Sequence, residues 1–83
     1  MQTFEPRMDR EVFEREFRHA SRFAVWVQVN TAVQMCLEIT KEQAREIANF
    51  GFENGGFVWG QYNHALLELS ITSQWYDQVK AKC

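Results

Sequence analysis

The chain has 83 residues, 46% of them hydrophobic, and a formal net charge of -2. That length supports one domain with a single core, and the mixed charge and apolar content exclude an intrinsically disordered chain. The longest apolar run, Phe23-Ala24-Val25-Trp26-Val27, is far too short to span a membrane, so no membrane partner is expected.

The N-terminal stretch lacks the apolar block of a signal peptide, and the two cysteines, Cys36 and Cys83, are too few for a disulfide framework. A cytoplasmic protein with reduced thiols is therefore expected. Charge is unevenly spread. Residues 1–22 hold five arginines and five acids, whereas Glu46 to Val79 holds four acids and no Lys or Arg. The second half is a poor match for a phosphate backbone.

Residues 7–20 read as a helix inside an N-terminal segment 1–22. Val12, Phe13, Phe17 and Ala20 form an apolar stripe at helical spacing, and Pro6 suits a first helical turn, where no amide hydrogen is needed. Arg10 and Glu14, Glu11 and Arg15, and Glu14 and Arg18 stand four apart, so opposite charges meet on a solvated face.

Residues 25–40, VWVQVNTAVQMCLEIT, resemble residues 58–72, VWGQYNHALLELSIT. Eight positions agree once one residue is deleted: Val25/Val58, Trp26/Trp59, Gln28/Gln61, Asn30/Asn63, Ala32/Ala65, Leu37/Leu69, Ile39/Ile71 and Thr40/Thr72. Such self-similarity predicts an internal repeat. Each unit reads as a β-hairpin followed by a helix, because apolar residues alternate with polar ones up to the threonine. With Asn30-Thr31-Ala32 as loop, Val29 faces Val33 and Val27 faces Met35. In the second unit a two-residue turn at Asn63-His64 sets Tyr62 opposite Ala65, Gly60 opposite Leu67 and Val58 opposite Leu69. A helix over residues 23–38 is the competing reading, since Phe23, Trp26, Val27, Asn30, Val33 and Leu37 also share a stripe.

Thr40-Lys41-Glu42-Gln43 is a capping box that starts a helix, with Ala44, Ile47, Ala48 and Gly51 as its buried face. Thr72 starts a shorter helix whose apolar side is Trp75, Tyr76 and Val79. Gly51 is placed to cap the first of these helices, and Asn54-Gly55-Gly56 to turn the chain into the second hairpin. The expected architecture is α+β: an N-terminal helix (1–22), a first ββα unit (23–50), a glycine-rich linker (51–56) and a second ββα unit (57–83). Together they form a four-stranded, mainly antiparallel sheet with the helices on one face.

Catalytic chemistry has no footing here. Gly51 and Gly56 have the spacing of a phosphate loop, but Phe57-Val58 follow where Lys-Ser/Thr is required. His19, His64, Cys36 and Cys83 never fall two to five residues apart, so no metal is expected. No nucleophile has a base beside it, and neither an enzyme nor a cofactor site is predicted.

The aromatic residues remain. Strand parity turns Val25, Val27, Val58, Leu67, Leu69 and Ile71 toward the helices, and turns Trp26, Gln28, Glu38, Phe57, Trp59, Gln61, Leu66 and Glu68 the other way. An apolar face rimmed by Gln and Glu is the pattern of a protein-binding surface, and tryptophan is a common hot spot. The sequence thus predicts a small protein-binding module, an inhibitor or adaptor of the kind phages and mobile elements direct at host proteins. The same face can serve a two-fold homodimer. The alternative is a single-stranded nucleic-acid binder that stacks bases on the Trp pair, with Arg10, Arg15 and Arg18 as a source of charge.

Overall fold

The computed structural model describes residues 7–82, with the side chain of Lys82 left out of the description. Pro6 and Cys83 lie outside that range. The elements in chain order are β1 (Arg7–Met8), α1 (Arg10–His19), β2 (Arg22–Gln28), β3 (Gln34–Ile39), α2 (Lys41–Gly55), β4 (Val58–Asn63), β5 (Leu66–Thr72) and α3 (Ser73–Lys82). The fold is α+β, three helices on a five-stranded mixed sheet of order β1-β4-β5-β2-β3. Residues 22–28 and 34–39 are strands, so the helical reading of 23–38 is set aside.

Local chemistry accounts for each element boundary. Asp9 caps α1 by accepting from the Val12 amide at 2.8 Å. Thr40 and Gln43 close the capping box of α2, with reciprocal bonds of 3.0 and 2.9 Å. The Thr72 hydroxyl accepts from the Trp75 amide at 3.2 Å at the start of α3. Gly51 was expected to end α2, but the helix runs on to Gly55, and Gly56 takes the left-handed cap at φ 78°. Most of the presumed linker is therefore helix.

The reason for glycine at position 51 is contact. A Cβ there would lie 2.5 Å from Val58 Cγ1 and 2.9 Å from both the Phe57 carbonyl oxygen and Trp75 Cη2. The missing side chain lets α2 sit directly on β4 and α3.

The sheet departs from a four-stranded, mainly antiparallel arrangement in two ways. A fifth strand, β1, pairs antiparallel with β4 through Arg7/Trp59 and Met8/Val58. The two hairpins meet along a parallel seam, in which β2 and β5 run together from Arg22/Leu66 to Gln28/Thr72. The first hairpin has the expected register, with Val27 opposite Met35 and the Val29 amide bonded to the Val33 carbonyl at 3.0 Å.

The second hairpin is shifted by two residues from the expected register. Tyr62 stands opposite Leu67 and Gly60 opposite Leu69, because the turn residues are His64 and Ala65, both at positive φ (52° and 66°). Two-residue hairpin loops demand such angles. The shifted register lays Leu69 over Gly60, where a Cβ would come 3.0 Å from Leu69 Cδ2 and 2.7 Å from the Glu68 carbonyl oxygen. A two-residue slip keeps every side chain on its own face.

Strand order and direction also show how the hairpins differ. With β5 and β2 parallel in the centre, β4 and β3 both run the other way. Oriented with their first strands alike and the helices toward the viewer, one hairpin returns on the left and the other on the right. The two units share an element order and a residue pattern, yet no rotation superimposes the hairpins while keeping their helix-covered faces on the same side.

The core lies between the sheet and the helices. Val25, Val27, Val58, Leu67, Leu69 and Ile71 come from the strands, Phe13 and Phe17 from α1, Ala44, Ile47 and Ala48 from α2, and Val79 from α3. Ring contacts link Phe13 to Phe17 and Phe52, and Phe17 to Phe23, with centroids 5.2–5.7 Å apart. Arg45 of α2 forms a two-pronged ion pair with Glu14 of α1, one bond at 2.9 Å, while its guanidinium lies 4.4 Å from the Phe17 ring centroid. All three helices thus share one face, and among the described residues no helix covers the other.

Candidate aromatic sheet face

Even-numbered residues of β2, β3 and β5 and odd-numbered residues of β1 and β4 project from the side opposite the helices. Cross-strand register sets out its rows. Cys36, Trp26, Ser70, Trp59 and Arg7 form one line across all five strands. Glu38, Ala24, Glu68 and Gln61 form the next. Trp26 and Trp59 therefore share a row, two strands apart, or about 10 Å.

The eight residues expected here occupy this side of the sheet in different states. Trp59 is exposed at 37%, Gln28 and Glu38 are exposed, and Trp26, Phe57, Gln61 and Leu66 are half-buried. Glu68 differs: only 9% of it is accessible, and each carboxylate oxygen takes one donor. The Trp26 indole N–H donates to Oε2 at 2.8 Å and the Gln61 amide to Oε1 at 3.0 Å. Glu68 is an internal clamp that fixes the orientation of Trp26 and Gln61, not a rim carboxylate. Ala24, beside it, is buried as well.

Trp59 is oriented from its other side. Phe57 meets it edge-on, with centroids 5.2 Å apart and planes at 87°. The Arg7 guanidinium lies 4.4 Å from the Phe57 centroid. Arg7 and Ser70 belong to this surface although neither was singled out from the sequence. A two-residue strand carries no periodicity, and a serine between two tryptophans becomes visible only once β5 lies between β4 and β2.

A cleft of about 220 Å³ adjoins Trp59, lined chiefly by Phe50, Gly51, Asn54, Phe57 and Trp75. Among the described residues, the buried Trp75 Nε1 has no hydrogen-bond partner.

The electrostatics of the face are nearly balanced. Arg7 and Arg22 stand against Glu38 and Glu68, and Arg22 and Glu38 make a long, exposed ion pair at 3.9 Å. Partial burial of the sulfur, together with the Glu68 carboxylate, pushes the Cys36 thiol up, which keeps it protonated at neutral pH. Arg10, Arg15 and Arg18, the suggested charge source for nucleic acid, belong to α1 on the opposite layer, where Arg10 stacks on Phe52 at 4.6 Å. His19 lies at the end of α1 with Nδ1 donating to the Arg15 carbonyl at 2.8 Å, and His64 is in the β4–β5 turn. No helix among the described residues is long and apolar enough to cross a membrane.

No family model, curated protein or solved structure matches this chain.

Proposed function

We propose that this is a small non-enzymatic protein-binding module that engages its partner through the sheet face around Trp59. The supporting observation is the exposed indole itself, held edge-on by Phe57 beside an apolar cleft, with Gln61 next to it on the same side of β4 and Gln28 and Glu38 farther across the sheet. A rigid aromatic with a polar surround is the usual make-up of a binding hot spot. Its preset orientation limits the side-chain entropy lost on association. Near-neutral charge favours a protein partner over a phosphate backbone. The role that fits best is an inhibitor or adaptor in the cytoplasm, of the type phages and mobile elements use against host proteins. The recurrence of the hairpin-plus-helix pattern is read as an internal repeat whose second copy changed hand when its turn was shortened.

The test is a partner captured from the native host, identified, purified and titrated against wild type and Trp59→Ala. A hot-spot tryptophan contributes at least 2 kcal/mol, so the variant should bind about 30-fold more weakly while its circular dichroism is unchanged. Equal affinities would reject the Trp59 surface. Tight, steeply salt-dependent binding to an oligonucleotide would favour base stacking instead.

A further inference from the structure

Among the described residues, the outer edge of β3 is open. In the sheet order β3 is terminal, and no described strand lies beyond it. At the opposite edge the two-residue β1 blunts the sheet, whereas β3 runs for six residues with no Pro or Lys and a single charge, Glu38. At the hairpin end of this edge the helix-side apolar residues are uncovered: Met35 of β3 and Val29 and Val33 of the connection that precedes it, whereas Leu37 is half-buried and Ile39 belongs to the core. Met35 is 46% exposed, Val33 47% and Val29 44%. A long edge of this composition is a template for another strand.

The hydrogen-bond phase fixes which groups it offers. The Val29 amide bonds to the Val33 carbonyl, and antiparallel ladders alternate bonded and non-bonded pairs. Val33, Met35, Leu37 and Ile39 therefore point their backbone groups at β2. Gln34, Cys36 and Glu38 point theirs outward.

We infer that β3 pairs antiparallel with β3 of a second copy of this chain, about a two-fold axis through Cys36, to give one continuous ten-stranded sheet. Only registers that set outward residues against outward residues can form bonds. Registers centred on Cys36 and on Leu37 each overlap five strand residues, but the first pairs all three outward residues, Gln34, Cys36 and Glu38, and the second only two. The Cys36 register puts Glu38 opposite Gln34 of the second copy, an acceptor against a donor, and Met35 opposite Leu37. The two Glu38 carboxylates then stand four residues apart along the strands, about 14 Å. Centring on Leu37 instead would bring them onto a diagonal about 7–8 Å long, with like charges adjacent. Charge and phase thus select the same register. A perpendicular two-fold axis leaves both helix layers on one side, with Met35 and Leu37 of each copy covering one another between them. The contact is separate from the Trp59 face and does not depend on the function proposed for it.

The register makes its own probe. Cys36 would face its counterpart as a bonded pair with Cα atoms about 5.5 Å apart, inside the range a disulfide spans. In Cys83→Ser, mild oxidation at alkaline pH should give a covalent dimer that disappears in Cys36→Ser. Sedimentation should show a reversible dimer whose dissociation constant falls about fivefold in Gln34→Lys, which places two lysines against the two Glu38 residues. Met35→Lys should be monomeric with an unchanged circular dichroism spectrum, whereas Trp59→Ala should still dimerise. A monomer at millimolar concentration with no cross-link at Cys36 would overturn the inference. So would a dimer that survives Met35→Lys but is lost in Trp59→Ala, since that would place self-association on the aromatic face.

Discussion

Replacing Glu68 tests the clamp at the centre of the sheet. Glu68→Ala removes a buried carboxylate that accepts from the Trp26 indole at 2.8 Å and the Gln61 amide at 3.0 Å. Hydrogen bonds to a charged group are worth about 1.5–3 kcal/mol each. Gln61 is half-buried and can turn to water, so its share is recovered in part. The indole N–H is tethered by its ring and recovers less. Allowing for that recovery, the expected loss is about 2–4 kcal/mol, a large part of the stability of so small a domain. Glu68→Gln keeps one acceptor oxygen for one of the two donors and should cost about half as much. Urea unfolding followed by tryptophan fluorescence gives both values, with the slope checked for constancy. A loss below about 0.5 kcal/mol for the alanine variant, the range of an ordinary surface change, would show that the two bonds contribute little.

Three further changes bear on the fold. Ala65→Gly relieves a non-glycine residue held at φ 66° in the second hairpin turn, and should stabilise the chain by about 1 kcal/mol, read as a rise in Tm of about 4–8 °C. Gly60→Ala sets a methyl group 2.7 Å from the Glu68 carbonyl and 3.0 Å from Leu69 Cδ2, and should cost about 1–3 kcal/mol in urea unfolding. The Arg45 guanidinium holds the Glu14 carboxyl below its ordinary value, so the pair's contribution is complete above the unfolded-state pKa of about 4.3 and disappears as pH falls through the lower folded-state value. With both side chains about one-third exposed, the effect is about 1 kcal/mol. Stability measured on acidification should therefore fall more steeply in wild type than in Glu14→Gln, and parallel curves would refute the assignment.

Much of this architecture is written in local pattern. Period-two alternation in 23–39 and 58–72 and the capping box at Thr40 are each decided by neighbours a few residues away, and strands and helix fall where those signals place them. What sequence could not supply was set by contacts distant along the chain. Gly51 looks like a helix cap until Trp75 and Val58 are seen pressing on it. The turn at residues 63–66 could close around Asn63-His64 or His64-Ala65 with equal parity, and packing of Leu69 over Gly60 separates the two. Glu68 has the residue type of a rim carboxylate. Its burial follows from Trp26, 42 positions away, which reaches it only across the parallel seam.

That seam organises the surface. Had the second hairpin kept the hand of the first, β5 could lie beside β2 only antiparallel, and no such register sets both Glu68 against Ala24 and Ser70 against Trp26. As built, β5 lies between β4 and β2, so Glu68 is within reach of Trp26 on one side and Gln61 on the other. The consequence is asymmetry between sequence-equivalent residues. Trp26 is tied down by a buried carboxylate and half-covered, whereas Trp59, at the corresponding position of the second unit, meets the Phe57 ring edge-on and keeps 37% of its surface accessible. One indole thus belongs to the framework of the sheet, and its counterpart stays accessible at the surface.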